Sequence, residues 1–324
     1  MSELHRIAAG LLAGTFLFGS AACTPRIAFP SKSFAAANYD YLTNRKADEL
    51  MVFPRDGNSV TITLPFRLRE VAFSADGRSV YGINVTNENG IIQDTGGLSE
   101  VKFNPIRRLP VPGTASFFIS SFAVSALQDK VIFSGYCKNA TRRRCDVFEI
   151  LLPTGMVRQV LCSNCNDQKM WGALSLSPNG DLALAEADYV GDNGTHLELV
   201  NLVHATTKPV SGEVEQGAWS PDGRWIAALS HRNSRLFLID ARDFSKRADL
   251  GSAPWRRPDW SPDSRYLLLW KYPSFFGCGV FLDVEGPATL EMLDVQSGRR
   301  STIPNSQCRV EHGWSGWIST EVMK

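Results

Sequence analysis

Apolar and polar positions alternate over short stretches along most of this chain, and the stretches recur. Four of them share one design: VAFSADGRSVYGI at 71–83, LSLSPNGDLALAEA at 174–187, GAWSPDGRWIAALS at 217–230 and PDWSPDSRYLLLW at 258–270. Each is the apolar end of a strand, then Ser-(Pro/Ala)-(Asp/Asn)-(Gly/Ser), then a second apolar strand. The residues of the linker explain the hairpin. Pro presets φ, Asp or Asn bonds its own backbone, and Gly accepts a positive φ. Two weaker copies, SFAVSALQDKVIFSG at 121–135 and EHGWSGWIS at 311–319, extend the set, with the aligned serines at 74, 125, 177, 220, 261 and 315. Their spacing of 41 to 54 residues is that of a repeated four-stranded unit.

Between these hairpins the order also repeats. RLFLIDAR and then RADLGS follow the third copy, and TLEMLDVQSG and then RRSTIP follow the fourth. Each unit therefore holds strands A, B, C and D. The Ser-Pro-Asp-Gly turn joins A to B, and a second turn, such as Arg55-Asp56-Gly57, Pro153-Thr154-Gly155 or Gln296-Ser297-Gly298, joins C to D. The expected fold is all-β: a six-bladed β-propeller of four-stranded blades, with a seventh, poorly written blade also possible. The last blade closes from both chain ends. ELMVFP and VTITLP near the N-terminus give its strands C and D, and the C-terminal stretch gives A and B. Such closure leaves only short protected edges.

The Trp-Ser-Pro-Asp-(Gly/Ser)-Arg hairpins at 219–224 and 260–265 resemble the repeats of TolB-type propellers, which also occur in prolyl oligopeptidases. The resemblance covers nearly all of 45–322 and belongs to the repeat, so it implies fold more than activity. TolB carries an α/β domain before its propeller, for which this chain leaves no room. Binding the peptidoglycan-associated lipoprotein is therefore only a distant analogy here.

The N-terminus breaks the pattern. Ile7 to Phe18 is apolar or small, follows His5 and Arg6, and leads into GSAAC. About a dozen such residues suit a signal-peptide core and are too few to span a bilayer. Ser20-Ala21-Ala22 suits an ordinary signal peptidase. With Cys23 it also resembles a bacterial lipobox, although Ser20 stands where Leu is usual. Cysteine arithmetic favours lipidation of Cys23. Of seven cysteines, six then remain, Cys137, Cys145, Cys162, Cys165, Cys278 and Cys308, an even number for an exported protein. The expected organisation is a signal peptide at 1–22, a lipid-attached tether at 23–44 and the propeller at 45–324. The protein would be periplasmic or at the cell surface, touching the membrane only through its anchor.

Composition removes other classes. Apolar residues at 44% and charged residues at 21% describe a packed chain, and a formal charge of +1 argues against nucleic-acid binding. No Gly-x-Ser-x-Gly elbow, phosphate loop or metal-like histidine pair occurs among His5, His196, His204, His231 and His312, so no cofactor and no metal are expected. Cys162-Ser163-Asn164-Cys165 sits between strands rather than at a helix start, which points to disulfides rather than redox exchange.

Antiparallel order puts the B–C and D–A loops on one face, here the loop face, and the A–B and C–D turns on the other, the turn face. All six cysteines fall on the loop face. So do the long insertions KNATRRR (138–144), DYVGDNGTH (188–196) and YPSFFGCGVFLDVEGPA (272–288), where recognition is expected. Cys278 and Cys308 are expected to pair. The other four could pair as 137–145 with 162–165, or crosswise. Counting back along each innermost strand gives Glu70, Ser121, Ala173, Gln216, Arg257 and Glu311 as a ring at the channel mouth. Of these Glu70, Gln216, Arg257 and Glu311 are ligand-binding candidates. The expected role is a cell-envelope binding or scaffold propeller for an envelope protein or a small polar ligand. The alternative is a propeller hydrolase or lyase using Glu70 and Glu311 as acid and base.

Overall fold

A computed structural model describes residues 33–38, 49–53, 60–74, 76–88, 91–103, 105–138, 146–162, 169–189, 194–211, 213–230, 232–252, 257–271, 287–303, 308–309 and 314–318. In chain order the strands begin with β1 (Ser33–Asn38), β2 (Glu49–Phe53) and β3 (Val60–Thr63). The first complete blade is β4 (Arg67–Phe73), β5 (Ser79–Glu88), β6 (Ile91–Lys102) and β7 (Arg107–Pro110). The second is β8 (Phe117–Val124), β9 (Lys130–Cys137), β10 (Asp146–Leu151) and β11 (Met156–Leu161). The third is β12 (Lys169–Leu176), β13 (Leu182–Tyr189), β14 (Thr195–Asn201) and β15 (Thr206–Ser211). The fourth is β16 (Gln216–Trp219), β17 (Trp225–Ser230), β18 (Arg235–Asp240) and β19 (Asp243–Ser252). The fifth is β20 (Asp259–Trp260), β21 (Tyr266–Lys271), β22 (Pro287–Asp294) and β23 (Arg300–Thr302). Last come β24 (Cys308–Arg309), paired with β22, and β25 (Trp314–Ile318).

Five blades, not six, are therefore complete in consecutive strands, and every neighbouring pair in them is antiparallel. The remaining sheet is a composite of both chain ends, in the order β25-β1-β2-β3. The expected two-plus-two division of this sheet is corrected to one-plus-three. β1 inserts between β25 and β2, with Ser33 opposite Ile318, Ala37 opposite Trp314, and Phe34 opposite Phe53. Ser33–Asn38, which falls within the expected tether over 23–44, is a strand of the fold. SFAAAN carries neither alternation nor a turn signal, so nothing local marks it.

The repeated serine has a physical role. In each complete blade the innermost strand ends on the residue before Ser74, Ser125, Ser177, Ser220 or Ser261, and all five serines are buried. Ser220 Oγ donates to Asp222 Oδ1 at 2.6 Å and accepts the Trp225 N–H at 2.9 Å. Ser74 does the same with Asp76 at 2.6 Å and Ser79 at 2.9 Å. One hydroxyl thus closes the turn and satisfies the first donor of the next strand. Gly77, Gly180 and Gly223 hold φ of 66° to 72°, as the turn demands. Where the turn has no Gly, Gln128 and Ser264 accept the same conformation at 56° and 58°.

Packing lies between blades rather than within them. Phe122, Phe133 and Phe148 of the second blade pack with Ile83 and Leu98 of the first, and Trp219 and Ile226 of the fourth with Leu184 and Leu197 of the third. Polar stitches follow the same seams. Trp260 Nε1 donates to the Ala218 carbonyl at 2.9 Å, and Arg69 Nη2 to the Ile119 carbonyl at 2.6 Å. Buried Glu149 holds Arg158 at 2.5 Å, whose Nη2 also donates to Leu202 O of the third blade at 3.1 Å.

Candidate functional site

The innermost strands β4, β8, β12, β16 and β20 enclose a central channel of about 270 Å³, walled by Phe73, Phe122, Leu174, Trp219 and Trp260 with Arg257 at one end. At that end, about four residues before the turn serine, three of the five strands are irregular. Register shifts fall at Arg69/Val71 in β4, at Ile119/Ser121 in β8 and at Trp171/Leu174 in β12. A bulge gives one strand an extra residue and re-aims its side chain, and such devices gather beside functional sites. At Glu70 the backbone reaches φ 48°, a conformation that costs energy for a residue with a Cβ.

Glu70 is the centre of one group. Ser121 Oγ of the second blade donates to Glu70 Oε1 at 2.7 Å. Burial raises the Glu70 carboxyl above its ordinary range. The Ser121 hydrogen bond, the charges of Arg257 and Arg69 and the Phe122 N–H oppose that rise without cancelling it. Arg257 also reaches the third blade, where its Nη1 donates to the Leu174 carbonyl. One hydrogen bond thus joins blades one and two at the channel mouth and another joins blades five and three, while the Arg257 charge acts on Glu70.

Gln216 belongs to a second group. Its Nε2 donates to Glu186 Oε2 at 3.4 Å, and the Ala173 N–H donates to the same oxygen at 3.3 Å. Glu186 comes from β13, not from an innermost strand, and sequence counting missed it. It fills the space beside Gly172 and Ala173, where a Cβ on Gly172 would lie 3.0 Å from Glu186 Oε2. Its one legible signal is a lone acid in the small-residue run LALAEA. Burial raises its carboxyl, and the nearby charges of Glu215 and Asp188 raise it further, against hydrogen bonds from Ala173 and Gln216.

The sixth ring position falls at the last strand. All five turn serines directly follow the end of an innermost strand, and β25 runs through Ser315 to Ile318. No A–B turn therefore falls at Ser315. Counted from the strand end, Ser315 rather than Glu311 corresponds to Gln216. Glu311 itself lies outside the described residues, as do Cys23, Cys145, Cys165, Cys278, His5, His231 and His312.

Cys137 and Cys162 are exposed and lie on the loop face, at the ends of β9 and β11. Cys137 and Cys162 are not bridged to each other, and every other expected bridge has a partner outside the described residues. Pairing of β24 with β22 sets Cys308 opposite Ala288, beside the end of the loop that carries Cys278. His196 is half-buried on β14, while His204 is exposed in the following turn. Among the described residues no three His, Cys, Asp or Glu form a metal-holding group, and no helix is long and apolar enough to cross a membrane.

Repeated four-stranded blades around a channel with a polar mouth define an all-β propeller. No family model and no curated protein matches the chain. Solved structures do, and their likeness is TolB-like. TolB from Acinetobacter baumannii superposes with a TM-score of 0.64 at 13% identity, over 89% of this chain and 66% of that one. A putative TolB from Agrobacterium tumefaciens gives 0.60 at 14% identity, over 89% and 98%. The nidogen/laminin complex gives 0.60 at 7% identity over the same shares. At these identities the likeness is one of fold.

Proposed function

We propose that this chain is an exported, lipid-anchored cell-envelope propeller that recognises a protein or a small polar ligand on its loop face. The observation that carries the binding reading is the state of the mouth. Glu70, Ser121 and Arg257 are engaged with one another or with backbone, and so are Glu186 and Gln216. Groups already satisfied within the protein serve shape and charge better than proton transfer. The fold-level likeness to TolB structures supports the same class. Export and anchoring at Cys23 rest on the apolar segment Ile7 to Phe18 and on the residues around Cys23. In this reading the composite sheet is the sixth blade. Its β25 touches β20 on one side and β4 on the other, which supports ring closure.

One observation favours the enzyme alternative. Glu70 is a half-buried carboxyl that holds its proton more tightly than usual, as a general acid must. The two readings separate by experiment. Native envelope extract is passed over the immobilised chain, over a variant with Arg142, Arg143 and Arg144 changed to Glu on the loop face, and over Arg242→Glu in a turn. A partner lost only with the loop-face variant is expected. Equal retention by all three ends the loop-face reading. Turnover in a substrate screen that collapses in Glu70→Gln would put the enzyme reading in its place.

A further inference from the structure

The direction of β1 fixes where the N-terminal segment leaves the propeller. β4 runs toward the turn face, since it leads into the Ser74 turn. β3 ends at Thr63, with only Leu64, Pro65 and Phe66 before β4, so β3 must end at the loop face, where β4 begins. Both β3 and β1 are antiparallel to β2. β1 therefore runs toward the loop face as well, and its first residue, Ser33, lies at the turn face. Ser33 also stands opposite Ile318, the end of β25. The chain before Ser33 enters at the turn face and, because β1 is second from the channel, near the middle of that face rather than at its rim.

Resting on the anchored reading of Cys23, we propose that the turn face is the membrane-proximal surface of this protein, and that the loop face, with its cysteines and channel mouth, points away from the bilayer. Nine residues separate Cys23 from Ser33. Ten Cα steps reach at most about 35 Å. To bring the loop face to the lipid, that length would first cross the two outer strands, about 10 Å. It would then climb a blade of seven- to eight-residue strands, about 25 Å, before passing any loop. That path exhausts the reach, whereas the turn face needs almost none of it. The partner on the turn side is therefore the bilayer carrying the anchor. A recognition partner must approach from the aqueous side.

Two full-length versions test this, one with an epitope inserted after Lys138 on the loop face and one after Ser297 in a turn. Each is displayed on phospholipid vesicles through its own lipid, and antibody-fragment binding is compared with binding in detergent. The Lys138 epitope should bind equally in both, while the Ser297 epitope should lose most of its binding on vesicles. The same comparison is run on a chain starting at residue 23, with a hexahistidine in place of the lipid, on nickel-chelating lipid. Equal or reversed accessibility there overturns the exit face and leaves the anchoring reading intact. An unmodified Cys23 in a soluble product, read by mass spectrometry, overturns the membrane assignment while the nickel-lipid pattern still reports the exit face.

Discussion

The channel mouth holds two half-buried carboxyl groups that arrive there by different routes. Glu70 sits at its own ring position on an innermost strand, in a strained backbone, with Arg69 and Arg257 close enough to favour its charge. Glu186 reaches the same level from the second strand of its blade, through space left by Gly172 and Ala173, and its charged neighbours are the acids Glu215 and Asp188. Both carboxyls are raised by burial. At Glu70 nearby cations offset part of the cost, while at Glu186 nearby anions add to it. A raised carboxyl thus marks a compensated group in one place and an uncompensated one in the other.

The largest effect should come from removing the compensation. Arg257→Met takes a charged donor from the Leu174 carbonyl and a cation from Glu70, and should cost about 2 kcal/mol in urea unfolding. An unchanged midpoint would show that the Glu70 group is not held by charge.

Next comes pH. A carboxyl whose folded pKa lies above its unfolded value binds more protons in the folded state. Its contribution is favourable at low pH and is lost as pH rises through the raised value. Glu186→Gln keeps an acceptor for the Ala173 N–H and removes the charge. It should gain on the order of 1 kcal/mol above that window and nothing below it. Glu70→Gln should show no such gain, because it also abandons Arg257 and Arg69. Stability curves at acid and neutral pH for the two variants check this, and identical curves would erase the distinction.

Smaller effects test single bonds. Ser121→Ala removes the 2.7 Å bond to Glu70 from a buried site and should cost about 1 kcal/mol. Gln216→Ala loses only a long, 3.4 Å contact to Glu186 and should cost about 0.5 kcal/mol or less in the same assay. A larger cost for Gln216→Ala than for Ser121→Ala would reverse the ranking of the two groups.

Much of the ring was legible in advance, because its determinants are local. Pro, Asp and Gly set each turn, the serine closes it, and counting back along a strand finds Glu70, Gln216 and Arg257 without any knowledge of neighbours. The same counting failed at the last strand. Trp314-Ser315 imitates the start of a turn, and only the pairing of β25 with β1 shows that the strand continues to Ile318. Glu186 was hidden because its place at the mouth depends on two small residues in an adjacent strand, not on its own position in the repeat.

By itself the sequence determined the four-stranded repeat unit, the order of its strands and the turns that join them, since alternation and turn chemistry act over a few residues. Tertiary structure alone decided that SFAAAN is a strand of the composite sheet, that Arg257 spans the channel to Leu174, and that Glu186 joins Gln216. Those outcomes turn on contacts between residues that are 11 to 285 positions apart along the chain (Asn38 with Glu49, Ser33 with Ile318), and no local pattern encodes a partner at that distance.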